Sequence, residues 1–211
     1  VNASTWALLL TGRVVKLKDA GGANPLNAVK RLVARSGEPV IRKAVRQAVK
    51  ILGDQFVLGR TIKEALARAQ AYQEKGYLFS YDMLGEAALT ASDAQRYFDA
   101  YTNAIKAIGT RLGKAGDVIS GPGISVKLSA LHPRYEYSQR ERVLGEVPDR
   151  LLARCEAARN ANIGRAVDAE EADRLEMALA VFEQVYRHPA NRGWDGLGLA
   201  CQAYQKRALP Q

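Results

Sequence analysis

Lys127, Asp168 and Gln202 each stand where a short apolar stretch gives way to a polar one, inside the segments Gly123–Tyr135, Asp168–Glu176 and Gln202–Arg207. A lysine in such a place supplies a fixed cation for an anionic group, and Asp82, at a neighbouring strand end, can hold that ammonium by a charge-assisted hydrogen bond. The three positions recur 41 and then 34 residues apart, the pitch of a strand followed by a helix. In a parallel barrel the carboxyl ends of the strands converge on one mouth, so residues this distant in sequence meet in one pocket.

The elements that must bring them there alternate in kind. Residues 1–75 read as a helical lead-in. Asn2–Leu10 is apolar, Gly21–Pro25 breaks it, Glu38-Pro39 opens a helix and Gly53 closes it. Thr61-Ile-Lys-Glu64 is a capping box, and Gly76 supplies a left-handed stop. Residues 76–211 then run strand, helix, strand, helix. The spacing predicts strands at 77–81, 124–128, 163–167 and 197–201. It predicts helices from a cap at Ser92–Gln95 to Gly109, from a cap at Ser138–Glu141 with an interruption at Pro148, and over 173–186. Four such units in order imply a parallel sheet.

Composition narrows the class without deciding it. The chain of 211 residues is 47% apolar and 25% charged, which is ordinary for a globular protein with a real core and excludes disordered and collagen-like chains. No uninterrupted apolar run approaches the roughly 20 residues of a spanning helix, and no secretory signal pattern opens the chain, so a cytoplasmic protein is expected. A net charge of +9 invites nucleic acid or an anionic membrane surface as partner. Its distribution argues otherwise, because Arg42, Lys43, Arg46 and Lys50 lie opposite Val40, Ile41, Ala44, Val45, Ala48 and Val49, the arrangement of a solvated helix face. Cys155 and Cys201 have no metal or disulfide spacing and read as small packing residues; Trp6 and Trp194 read as packing residues; His132 and His188, each before a proline, read as loop residues; no metal site is expected.

An open doubly wound sheet and a closed (βα)8 barrel both satisfy this order. The first strand-helix turn, Met83-Leu-Gly-Glu-Ala87, lacks a dinucleotide cradle, which favours the TIM-barrel type. Only about the first four βα units are present, however, and a full barrel takes about 250 residues.

Four separated segments carry a specific likeness. Tyr81–Ala87, Ser125–Tyr135, Asp168–Glu171 and Gln202–Arg207 resemble the proline dehydrogenase domain of the bacterial PutA flavoproteins, and Asn2–Trp6 with Gly37–Arg42 resembles the helical segment that precedes it. The resemblance implies oxidation of L-proline to 1-pyrroline-5-carboxylate by hydride transfer to FAD, with a membrane quinone as final acceptor and peripheral association with the inner membrane. It implies Lys127, Asp82 and Glu86 as catalytic residues, Glu86 pairing with an arginine that would lie beyond Gln211. Asp168, Ala169, Ala200, Gln202 and Tyr204 are implied at the cofactor. DNA binding is not expected from this segment, and a homo-oligomer stays open.

The chain also departs from the family pattern. The later strands, the flavin-binding loop and the final Arg-Arg-x-x-Glu helix would fall after Gln211, so the chain reads as a fragment holding half of a site. Arg165 and Ala166 replace an expected aliphatic residue and an asparagine, and a charge at Arg165 is costly unless it is paired or reaches water. Ala200 and Cys201 are smaller than the expected aliphatics. Bottom-up, Lys127 also reads as a solvated lysine at a strand tip and Asp168 as a helix N-cap. The alternatives are a non-catalytic half-barrel assembly module and a basic module for DNA or membrane surfaces.

Overall fold

A computed structural model describes residues 42–43, 45–112 and 117–208. The readings at Asn2–Leu10, Trp6, Gly21–Pro25 and Glu38-Pro39 lie outside them. The chain divides into two compact units, 1–68 and 69–211, taken separately below.

In the first unit, helix α1 (45–56) runs past Gly53. Its basic positions are exposed as expected, but its apolar ones are exposed too, Val45 at 55% and Val49 at 62%. The apolar stripe therefore has no cover among the described residues. Helix α2 (Ile62–Gln73) starts in this unit. The Glu64 amide donates to Thr61 Oγ1 at 3.2 Å, while the Glu64 carboxylate accepts from the Arg60 amide at 3.0 Å and not from Thr61. Half of the expected capping box thus forms as read, and Gly76 closes the segment at φ +87°.

The second unit holds a parallel sheet of β1 (Ser80–Tyr81), β2 (Gly123–Val126), β3 (Gly164–Val167) and β4 (Leu197–Leu199). Between them run α3 (Ala91–Leu112), α4 (Arg140–Asn160) and α5 (Leu175–Tyr186). The strands lie in the order β1-β2-β3-β4. With right-handed crossovers, an order that never reverses puts every helix on the same face, unlike a doubly wound sheet. Ile124, Arg165 and Leu197 form one row across this sheet and Val126, Val167 and Leu199 another. Both rows face the helices, which cover them with Tyr101, Ile105 and Ile108 of α3, Val143, Val147 and Leu151 of α4, and Met177, Val181 and Val185 of α5. These recur three or four apart, one stripe per helix. The opposite face is made of small residues, Ser125, Ala166 and Gly198.

Several boundaries differ from the reading. The strands are shorter, because Tyr77 and Leu78 are exposed ahead of β1 and Leu128 has already turned into a one-turn helix, Leu128–Ala130. Thr90, not Ser92, caps α3: its hydroxyl accepts from the Asp93 amide and the Asp93 carboxylate from the Thr90 amide, both at 3.1 Å. Pro148 does not interrupt α4. Val147 and Leu151 on either side are fully buried, and that packing offsets the one lost backbone bond.

Candidate functional site

The ladder carries past the strand ends, since the Asp168 amide donates to Val126 O and the Ala200 amide to Val167 O, both at 2.9 Å. Lys127, Asp168 and Ala200 therefore continue the small-residue face at one level. Lys127 Nζ donates to Asp82 Oδ1 at 2.9 Å and Oδ2 at 3.0 Å, and to Asp168 Oδ2 at 2.8 Å. One ammonium thus ties the ends of three strands. Burial works against its charge, since its side chain is 14% exposed, but the hydrogen bonds it donates to Asp168 and Asp82 prevail and hold its pKa above that of a free lysine. Lys127 is not a solvated tip.

Asp168 does not cap a helix. Its Oδ1 accepts from the adjacent Ala169 amide at 3.0 Å, and the next helical turn begins only at Ala172. Gln202 Nε2 donates to Glu170 O at 3.2 Å, and Gln202 Oε1 accepts from Gln205 Nε2. Asp168, Ala169, Ala200 and Gln202 line one recess, and Glu86, Ala169, Gln202 and Tyr204 line an adjoining open cleft of about 370 Å³. Asp82 and Lys127 line neither, and stand at the strand ends beside them.

Two residues at this mouth escaped the reading. Glu170 keeps 8% of its side chain exposed and accepts from the Ser129 amide at 3.0 Å; burial pushes its carboxyl upward against that bond. Both belong to motifs singled out above, yet no periodicity marks a loop carboxylate as buried.

Of three further residues, Cys201 departs from expectation, while His132 is the expected loop residue and Arg165 carries the buried charge whose cost was noted above. His132 is buried; its Nδ1 accepts from the Arg134 amide at 3.1 Å, and its Nε2 lies 3.3 Å from Glu146 Oε2 without the alignment of a hydrogen bond. Burial holds its pKa below the usual histidine value. Cys201 is exposed, unlike the buried Cys155. Arg165 is 2% exposed with all three guanidinium nitrogens unpartnered, and burial pushes its pKa down to about 10. His188, as read, is a loop residue, and Trp194 packs over Gly196, where a Cβ would meet the ring at 2.4 Å. Among the described residues no His, Cys, Asp or Glu cluster is placed to hold a metal, and no helix is long and apolar enough to cross a membrane.

A parallel sheet with small residues on one face and a lysine-carboxylate cluster at its carboxyl edge is an arrangement of α/β enzymes. Residues 65–211 match the family model for proline dehydrogenase, and residues 1–56 match that for the DNA-binding domain of proline dehydrogenase. The chain belongs to the proline dehydrogenase family. It is 51% identical over 207 residues to the bifunctional protein PutA of Salmonella typhimurium, covering 98% of this chain and 16% of that protein. It is 48% identical over 208 residues to PutA of Rhizobium meliloti, again over 16% of the relative. The chain therefore spans about a sixth of the length of these relatives. A crystal structure of Bradyrhizobium japonicum PutA superposes with a TM-score of 0.67 at 51% identity, over 84% of this chain and 18% of that one. Bdellovibrio bacteriovorus PutA inactivated by N-propargylglycine gives 0.75 at 21% identity, over 81% and 19%, a likeness of fold alone.

The match over residues 1–56 runs against the expectation that DNA binding is foreign to this segment. That expectation rested on α1 having an ordinary solvated basic face, and Arg46 and Lys50 are exposed there. Exposed cations on a helix suit solvent and phosphate equally, so the charge pattern does not exclude nucleic acid.

Proposed function

We propose that this chain carries the first four strands of a (βα)8 barrel that oxidises L-proline to 1-pyrroline-5-carboxylate, the rest of the barrel lying outside these residues. The observation that carries the reading is the Lys127 ammonium held between Asp82 and Asp168 across three strand ends. Proline presents a carboxylate beside a ring amine, and Lys127 supplies the fixed positive charge for that carboxylate. Lys127 Nζ already meets two carboxylates, so an incoming carboxylate must compete with one of them. Asp82, 47% exposed against 29% for Asp168, is the one that gives way. Asp168 then keeps the ammonium aimed at the substrate.

The residues present suit a flat cofactor. Ser125, Ala166, Gly198 and Ala200 project no bulk from the sheet's open face, so a planar ring can approach the strands closely. Gln202 and Tyr204 supply a primary amide and an exposed aromatic face at the rim, and Ala169 adds a small side chain there. Gln202 and Tyr204 would hold FAD against this face, where it would supply the acceptor for the hydride of proline oxidation, with the proton leaving from the amine. Glu86, on the cleft wall, is suited to pairing with a cation that closes over the substrate. A membrane quinone as the next acceptor, and a cytoplasmic protein docking peripherally on the inner membrane, follow from this reading.

The test is the visible spectrum of the purified 211-residue protein after incubation with FAD and gel filtration, followed by anaerobic L-proline. Co-eluting flavin that bleaches with proline, and fails to bleach in Lys127→Met, supports the proposal. A colourless protein, or flavin unmoved by proline, sinks it for this chain.

A further inference from the structure

The loop after β1 carries Glu86 and is held in an unfavourable conformation. Ala87 sits at φ +52° and Gly85 at φ +129°. The first is unfavourable for a residue with a Cβ, and the second is open essentially to glycine alone. Such a conformation persists only where the surroundings enforce it. Two hydrogen bonds do so here, both from the turn after β2: the Ala87 amide donates to Ser129 Oγ at 3.1 Å, and the Ala88 amide to Ser129 O at 2.9 Å. Ser129 is in turn held from the loop after β3, its amide donating to Glu170 Oε1 at 3.0 Å. Glu170 O, on the same residue, accepts from Gln202 Nε2 after β4. A second tier of contacts thus crosses all four strand ends beside the Asp82-Lys127-Asp168 tier, and it passes through one buried carboxylate.

We propose that Glu170 is a positioning residue for Glu86: by holding the Ser129 amide it keeps Ala87 in the left-handed conformation that sets Glu86 on the wall of the cleft. This rests on the reading of the cleft as a substrate site, but the positioning can be measured without flavin. Burial raises the pKa of the Glu170 carboxyl and the Ser129 hydrogen bonds oppose this, but either form of the group presents an oxygen to the Ser129 amide. Glutamine keeps an acceptor oxygen at the same reach, whereas alanine leaves the Ser129 amide unpartnered.

Amide hydrogen exchange on the whole 211-residue chain, without flavin, decides the matter. Glu170→Ala is expected to speed exchange at Ala87 and Ala88 roughly tenfold or more, with amides in the middle of α3 and α5 unchanged. Glu170→Gln should stay within about threefold of the parent, and Ser129→Ala should reproduce the effect at Ala87 alone, since its backbone carbonyl survives. Unchanged Ala87 and Ala88 amides in Glu170→Ala overturn the proposal, as does a rise spread evenly through the helices, which would mark Glu170 as merely structural. If the parent protein fails to bind flavin while these local changes appear, the functional reading falls and the positioning stands.

Discussion

At Lys127 two carboxylates depend on one ammonium, so Lys127→Met leaves Asp82 and Asp168 facing each other without a cation. Loss of about 1–3 kcal/mol is expected, read from urea midpoints. Because the folded pKa is raised, this contribution is complete below the pKa of a free lysine and fades only as pH rises through the folded value. The deficit should therefore be equal at about pH 6 and about pH 9. Arg165 is the opposite case, a buried cation with nothing to hold. Arg165→Met should raise stability by about 1–4 kcal/mol, since a linear apolar side chain fills the space without the desolvation cost and without repelling Arg154; an unchanged or lower midpoint would show that the guanidinium has a partner in solution. His132 gives the pH-sensitive signal. Its folded pKa lies below that of a free histidine, so the unfolded chain takes up the proton first, and stability falls as pH drops below about 6.5. Glu146, held low first by Arg142, adds a fall in the same direction only at more acid pH. His132→Asn, whose amide oxygen replaces Nδ1 as acceptor for Arg134, should flatten the thermal midpoint across this window while leaving more acid unfolding in place.

At the scale of elements, the loop between β1 and α3 is held both by its backbone angles and by a close contact with α3. A Cβ on Gly85 would lie 2.4 Å from the Tyr97 ring at a φ closed to other residues. Gly85→Ala should cost about 2 kcal/mol or more in denaturant titration and loosen the loop that carries Glu86, while β2 to β4 keep their exchange protection. Equal stability of the two proteins would mean that the loop is free to move away from α3. At the start of α3 the reciprocal Thr90–Asp93 bonds show why capping signals are read more easily than cap positions. Threonine, serine and aspartate all occur within four residues, and only the path of the preceding loop selects among them.

For the whole molecule, β1 and β4 each pair on one side only among the described residues. Unpaired edges and an uncovered face of small residues invite association. The 211-residue protein is expected to sediment with a weight-average mass that rises with concentration. A monomer at every concentration would show both edges to be protected. The net charge of +9 sits beside a mouth bearing Asp82, Glu86, Asp168, Glu170 and Glu171, so charge summed over the chain says little about what the cleft receives.

Local rules were enough for part of this protein. Strand-end polarity and the pitch between strands marked Lys127, Asp82, Asp168 and Gln202 as neighbours, because a parallel sheet with right-handed crossovers brings its carboxyl ends together whatever the details of packing. The family likeness, carried by residue identities at four separated segments, was legible for the same reason that motifs are: they are local in sequence. What only the tertiary structure decided lies in the side chains' surroundings. That Lys127 meets two carboxylates, that Asp168 ties a strand and caps no helix, that His132 and the Glu170 side chain are buried, and that Arg165 points unpaired into the helix layer all depend on distances between segments tens of residues apart. Sequence specifies the kind of group at each position and its periodicity; the free energy of a charge depends on what other chain segments place around it, and that is settled only when the sheet and helices pack.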